Sequence, residues 1–240
     1  MARCLCASLS SESAMWYESV KTGRFLCRPN RFVAHVLVDG ETVVCHVKNT
    51  GRCRELFVQD AKVVLAPGEN PARKTRYDVI AVYKGDRLIN IDSQAPNKVF
   101  REWAEGGGFL PGVNLIRPEY TYGQSRLDFY VEAGEMRCLV EVKGVTLEEN
   151  GHVRFPDAPT QRGARHVREL AAAVAQGFAC YVVFVIQMCG VHSFSPNEDT
   201  DPGFAKELRQ AAEAGVHVLV YDCRVAEDYL ALGDPVPVFV

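Results

Sequence analysis

The rhythm of hydrophobic and polar positions changes once along the chain. From Gly23 to about Ile91, short runs rich in Val, Ile, Phe and Tyr follow one another: GRFLCR, RFVAHVLV, TVVCHV, AKVVLA, RYDVIAVY and RLINID. They are separated by Pro29-Asn30, Asp39-Gly40, Asn49-Thr50-Gly51, Pro67-Gly68 and Lys84-Gly85. Apolar runs bounded by turn residues predict strands, and Asp-Gly between two of them signals a hairpin. Five or six short strands without a long helix predict a small barrel, for which an OB-like fold is the natural candidate.

Beyond Ile91 the spacing predicts a mixed α/β region. Pro96–Glu105 has helical spacing, with Asn97 as its expected cap, Val99 and Trp103 on one face, and Gly106-Gly107-Gly108 as its stop. Strands are predicted near Val113–Tyr122, Leu127–Glu132 and Arg137–Val145. A second helix follows over Thr160–Gln176, where Val167, Leu170, Ala171, Val174 and Phe178 recur at helical spacing. ACYVVFVIQM, residues 179–188, reads as a strand covered on both faces. Asp201-Pro202 opens a third helix that Gly215 closes, and VHVLVYD supplies a last strand. The order from Pro96 is α-β-β-β-α-β-α-β. The expected division is a loose extension over 1–15, a barrel over 16–92 and an α/β domain with a mixed sheet flanked by helices over 93–240.

Composition supports a folded protein: 48% of the 240 residues are hydrophobic and 24% charged, in the ordinary globular range. No run of 18 apolar residues is present, so a membrane-spanning helix is not expected. The nine cysteines are odd in number, scattered and without a CxxC pair, the usage of a reduced, cytoplasmic protein. Cys45, His46 and Cys53 lack the usual spacing of zinc ligands. The net charge of -3 is unevenly spread: residues 1–101 carry 16 Lys and Arg against 10 Asp and Glu, whereas residues 102–240 carry 11 against 20. The basic half suits a polyanion.

The chemistry concentrates in LDFYVEAGEMRCLVEVKG, residues 127–144, two apolar runs interrupted by Asp128, Glu141 and Lys143. Charges in core-like strands are costly unless paired or bound to an ion. Alternation puts Leu139, Glu141 and Lys143 on one face and Cys138, Val140 and Val142 on the other. A hairpin turning at Ala133-Gly134 with an even loop places Asp128 opposite Leu139 and Arg126 opposite Glu141, so Asp128 and Glu141 become diagonal neighbours about 7–8 Å apart. Two carboxylates, with the Val142 carbonyl, offer the hard oxygen ligands that Mg²⁺ or Mn²⁺ prefers. Lys143 is placed to orient water or stabilise developing charge on a phosphate. An isolated Glu-x-Lys is also the pattern of a surface ion pair; the spaced Asp and the element order favour the site.

Two further groups look towards an anion. Gln161, Arg162, Arg165 and His166 occupy the first two turns of the second helix, where free N–H groups favour negative charge, and Gly163 leaves room for a phosphate backbone. An exposed basic turn explains them equally well. On the barrel, Arg28, Arg31, Lys48, Asn49, Arg52 and Arg54 are interleaved with Phe25 and Phe32. This is the composition of a groove tracking a nucleic-acid backbone. The phenylalanines read better as core.

FLCRPNRFVAHV, HVKNTGRCREL, RLINIDSQAPNKV, SRLDF, EVKGVTL, FPDAPTQRGARHVREL and FSPNEDTDPGF together resemble the sugar fermentation stimulation protein family of bacteria and archaea, from about Trp16 to Val240. The Asp128…Glu141-x-Lys143 spacing resembles the PD-(D/E)XK nuclease superfamily. The resemblance implies an OB-like domain followed by a nuclease-like domain, DNA as partner, and a link to sugar (maltose) utilisation genes. It implies Asp128 and Glu141 as metal ligands and Lys143 as the catalytic lysine, with Glu102 as an additional carboxylate and Gln161 or Arg162 as the polar residue of the following helix. Glu102 is as readily an exposed helix residue. Two functions are expected: a Mg²⁺- or Mn²⁺-dependent DNA nuclease, or a DNA-binding regulator that keeps the fold without cutting. No helix-turn-helix is recognisable, so little sequence preference is expected. A homodimer is left open.

Overall fold

A computed structural model describes residues 14–49, 51–68 and 73–240; most of the expected N-terminal extension and Thr50 of the Asn49-Thr50-Gly51 turn lie outside them. The chain runs β1 (Met15–Trp16), β2 (Lys21–Asn30), β3 (Val33–Val38), β4 (Glu41–Val47), β5 (Lys62–Pro67), β6 (Tyr77–Lys84) and β7 (Arg87–Asn90). It continues through α1 (Ala95–Glu105), β8 (Val113–Tyr122), β9 (Ser125–Ala133), β10 (Met136–Val145), β11 (Leu147–Glu149), β12 (His152–Phe155) and α2 (Gln161–Val174). The last elements are β13 (Ala179–Ile186), β14 (Ser193–Pro196), α3 (Pro202–Glu213), β15 (His217–Ala226) and β16 (Tyr229–Pro235).

β2 to β6 form a closed five-stranded, OB-like barrel in the order β4-β3-β2-β5-β6, sealed by parallel pairing of Cys45–Val47 with Tyr77–Val79; β7 extends β6. The Asp39-Gly40 hairpin forms as its residues predict. Val38 pairs with Glu41, and both turn residues take the positive φ of a two-residue turn, 52° and 87°. Phe25, Val36, Val47, Leu65 and Val79 fill the barrel.

The second domain is a seven-stranded mixed sheet, β1-β16-β15-β13-β10-β9-β8, parallel across β10, β13 and β15. β1 pairs with β16, so Met15 and Trp16 belong to this sheet and not to the barrel. Helix α1 covers one face through Val99, Phe100 and Ala104. Helices α2 and α3 cover the other through Val167, Leu170, Phe204 and Leu208. β13 is buried on both faces, which is why its residues are continuously apolar.

Gly163 is not a phosphate approach. It is buried where α2 meets α3, and a Cβ there would lie 3.5 Å from the Phe204 ring and 2.8 Å from the capping Thr160 Oγ1. The short strands β11, β12 and β14 form a separate three-stranded sheet that the sequence pattern did not anticipate.

A buried polar junction fixes α1 against the barrel. The Gln187 amide donates to Asn90 Oδ1 at 2.8 Å and to the Asp92 carbonyl at 3.0 Å, and Asn90 donates to the Tyr17 hydroxyl at 3.0 Å. Tyr17 in turn donates to Asp92, which also pairs with Lys48 at 3.1 Å. Asp92 accepts from the Gln94 N–H, the residue that precedes α1.

Candidate active site

The site begins with the β9–β10 hairpin. The observed turn is Gly134-Glu135, with Ala133 paired to Met136 and Val140 to Phe129. This register differs by two residues from the one expected. It retains the parity, and its continuation sets Asp128 across from Glu141 instead of diagonal to it. The backbone ladder ends one pair short of these residues, and Asp128 turns its carboxylate to the strand: Oδ2 accepts from the Val142 N–H at 2.8 Å. Its Oδ1 accepts from the Asn97 side chain at 2.9 Å.

Asn97 is therefore not the cap of α1. The N-cap is Gln94, with no side-chain bond, and Asn97 lies three residues into the helix, where its amide reaches β9.

Glu141 is 2% exposed. Its Oε1 receives the Lys143 ammonium and lies 2.6 Å from Nδ1 of His166 on α2. Arg162 donates from Nε to His166 Nε2 at 3.4 Å, which makes Nε2 the acceptor and assigns the proton facing Glu141 to Nδ1. The other carboxylate oxygen, Oε2, is buried and has no hydrogen-bond partner. Burial pushes the Glu141 pKa up, but Lys143 and His166 outweigh it and hold the carboxyl below its ordinary value. Asp128 goes the other way: burial and the Glu141 charge raise it more than Lys143, the Val142 N–H and Asn97 lower it. Two neighbouring carboxylates are thus pushed in opposite directions, Glu141 held ionised by its positive partners and Asp128 raised by burial and by the Glu141 charge.

Residues 94–229 match the family model described as the sugar fermentation stimulation protein RE domain, and residues 26–91 the one described as the SfsA N-terminal OB domain. A sugar fermentation stimulation protein homolog of Desulfitobacterium hafniense (strain DSM 10664 / DCB-2) is 54% identical over 224 residues, covering 93% of this chain and 98% of that protein. The chain belongs to the sugar fermentation stimulation protein family.

A homolog from Clostridium beijerinckii is 50% identical over 226 residues, covering 94% of this chain and all of that protein. The fold is shared with a solved structure of Pyrococcus furiosus SfsA in complex with Ca²⁺, at a TM-score of 0.87 and 28% identity, covering 94% of this chain and 98% of that one.

In this member of the family the structure brings together Asp128, Glu141 and Lys143, adds Asn97 and His166, and leaves other expected residues outside. Glu102 has Glu105 and Lys98 as its charged neighbours; burial, reinforced by Glu105, raises its pKa. Gln161 and Arg165 are exposed on the first turns of α2, and Arg162 reaches the site only through His166. His166, expected on a nucleic-acid surface, is 1% exposed and serves Glu141 instead. Its place was legible: it shares a helix face with Gly163, Leu170 and Ala173, all buried. Asn97 carried no such signal, since only the tertiary fold brings it to β9.

The barrel residues divide as well. The Arg28 guanidinium is tied to the carbonyls of Arg52 and Arg31 and stacks on Phe57 at 4.6 Å. Asn49 bridges the Ile91 carbonyl and the Gly51 N–H, and Lys48 pairs with Asp92. These three brace the chain. Arg31, Arg52 and Arg54 are exposed. Phe25 is core, whereas Phe32 is 41% exposed with the Arg31 guanidinium 4.9 Å from its ring centre. His46 bonds Asp78, and burial pushes the Cys45 and Cys53 thiols up to about 12. Among the described residues no three His, Cys, Asp or Glu side chains converge as a metal cage, and no helix is long and apolar enough to cross a membrane.

Proposed function

We propose that the chain binds DNA through its barrel side and cleaves phosphodiesters at the Asp128–Glu141–Lys143 site with a divalent cation, Mg²⁺ or Mn²⁺. The observation that carries this reading is the Glu141 Oε2 atom, buried without a partner beside a second carboxylate. A buried charged oxygen with no donor is expensive, and a cation is what it lacks. The donor set fits a hard ion: Asp128 and Glu141 would hold it, with the Val142 carbonyl within the same strand. The Pyrococcus furiosus relative was solved with Ca²⁺, an ion of the same oxygen-seeking class. When bound, such an ion acidifies water and neutralises charge on a phosphate.

The chain's own groups supply the rest. Asn97 and the Val142 N–H fix both Asp128 oxygens, leaving their remaining lone pairs for a ligand. His166 holds Glu141 Oε1 from behind. Lys143, whose side chain keeps 16% exposure, carries the positive charge that can meet a phosphate oxygen in the transition state. Arg31, Arg52 and Arg54 provide exposed charge for salt-dependent grip. The family's tie to sugar fermentation then reflects an action on nucleic acid.

The test is cleavage of single-stranded, duplex and branched DNA by purified protein in Mg²⁺ or Mn²⁺, with Lys143→Ala and a binding assay of both. Cutting that vanishes in the variant while binding persists supports the nuclease. Metal-independent binding with no cutting of any substrate overturns it in favour of a DNA-binding regulator.

A further inference from the structure

A cavity of about 280 Å³ opens between the barrel and the start of α1, lined by Phe32, His46, Lys48, Arg73, Ser93 and Gln94 among others. The start of α1 links it to the candidate active site. Asn97 lies three positions after Gln94, about 4.5 Å of helical rise, and Asn97 donates to Asp128. The Ser93 N–H donates to the Lys48 carbonyl at 2.9 Å, locking the cavity's barrel wall to its helix wall.

The charges in the lining decide what fits. Lys48 is paired with Asp92, and Arg73 with Asp78 at 2.7 Å, so both cations are already balanced by carboxylates. His46 also spends its Nδ1 on Asp78 at 3.0 Å. A free phosphate would find little uncompensated positive charge here. What the lining does offer is an aromatic ring, the Ser93 hydroxyl and the exposed Gln94 amide. Phe32 leaves 41% of its surface exposed, with the Arg31 guanidinium 4.9 Å from its ring centre. A flat, polar-edged, neutral group stacks on such a surface and exchanges hydrogen bonds at its rim. The volume is enough for one such group.

We infer that this cavity is a subsite for one unpaired nucleobase of a DNA strand, stacked on Phe32 and bonded at its edge by Gln94 and Ser93, next to the phosphate at Asp128 and Glu141. The inference rests on the proposed action on DNA and adds a substrate class to it: strands with an unpaired nucleotide at the cutting site. Phe32 and Gln94 are then specificity-determining residues for strand state.

The experiment uses the full chain in EDTA, so that binding is read without cutting, and a short single-stranded DNA carrying one 2-aminopurine, moved along the strand. Stacking on Phe32 quenches this base at one register, and the quenching is absent when a complementary strand pairs it. Phe32→Ala weakens binding by about tenfold, Phe32→Trp restores it, and a strand abasic at that register binds wild type and Phe32→Ala alike. Because Phe32 is exposed, its Ala variant keeps the parent's unfolding midpoint, which excludes misfolding as the cause. If wild type binds DNA but Phe32→Ala loses nothing, or loses equally on the abasic strand, the subsite is wrong while the DNA reading stands. If wild type binds no DNA at all, both are overturned.

Discussion

Gly144 follows the lysine of the site, and replacing it with alanine tests how α1 is held there. A Cβ at this position would lie 2.6 Å from Gln187 Oε1 and 2.7 Å from Pro96 Cγ, both far inside ordinary contact. Neither neighbour yields easily. Gln187 is buried and its amide serves Asn90 and Asp92, and Pro96 is in the first turn of α1, one residue before Asn97. Overpacking of this kind costs about 1–3 kcal/mol, and loosening the Gln187 bonds adds about 1 kcal/mol. The stiffer unfolded chain returns about 0.5–1 kcal/mol. The net loss is about 1–3.5 kcal/mol, a fall in Tm of roughly 2–14 °C for a chain of this size. Thermal unfolding followed by circular dichroism reads it directly. Because Pro96 carries Asn97 with it, the proposed DNA cleavage falls more than the loss of folded protein explains. An unfolding midpoint within about 1 °C of the parent would refute the claim that β10 and α1 are rigidly apposed.

Asp128→Asn removes one of two facing charges while Asn97 can turn its amide to keep the bond, so the variant is more stable than wild type in EDTA. Mg²⁺ at a hundred times its Kd stabilises wild type by about 2.7 kcal/mol and the variant far less; equal Mg²⁺ shifts in the two contradict the ligand assignment. Asp128 has a raised folded pKa, so its proton-linked contribution is full below the unfolded value and is lost as pH rises through the folded one. In EDTA the advantage of the Asn variant therefore grows with pH, and a calorimetric pH series that shows no growth refutes the coupling.

Glu148 is clamped by Lys84, the Gly151 N–H and Arg87, which together overcome its burial and lower its pKa. Its contribution is full above the unfolded value and lost as pH falls through the folded one. Glu148→Gln costs about 2 kcal/mol at neutral pH, and its gap to wild type narrows as pH falls below the ordinary glutamate value; a series of urea titrations from neutral to acid pH checks this. His166→Ala leaves Glu141 Oε1 one donor short, and by loss of an orienting partner weakens Mg²⁺ or Mn²⁺ binding by about tenfold to a hundredfold. Unchanged binding by calorimetry shows that His166 is merely packed.

Much of the architecture is written locally. Turn residues at Asp39-Gly40, the alternation of Arg137–Val145, the unbroken apolar run of β13 and the caps Thr160 and Asp201 each depend on neighbours within a few positions. The same local alternation put Glu141 and Lys143 on one strand face before any fold was known. The strands β1, β11, β12, β14 and β16 were illegible because they are short or take their stability from partners far along the chain, as Met15 does from Leu230.

The sequence by itself determined the two-part division, most of the element order and the three residues around which the candidate site is built, since periodicity and turn chemistry act over short distances. Only the tertiary structure decided the hairpin register that sets Asp128 across from Glu141, the pairing of His166 with Glu141 and the reach of Asn97. It alone also showed that Arg28, Lys48 and Asn49 brace the fold and that Phe32 lines a cavity beside α1. The physical reason is that a side chain's role is set by what desolvates it and what it can bond, and those partners come from 31 residues away for Asn97 and 25 for His166.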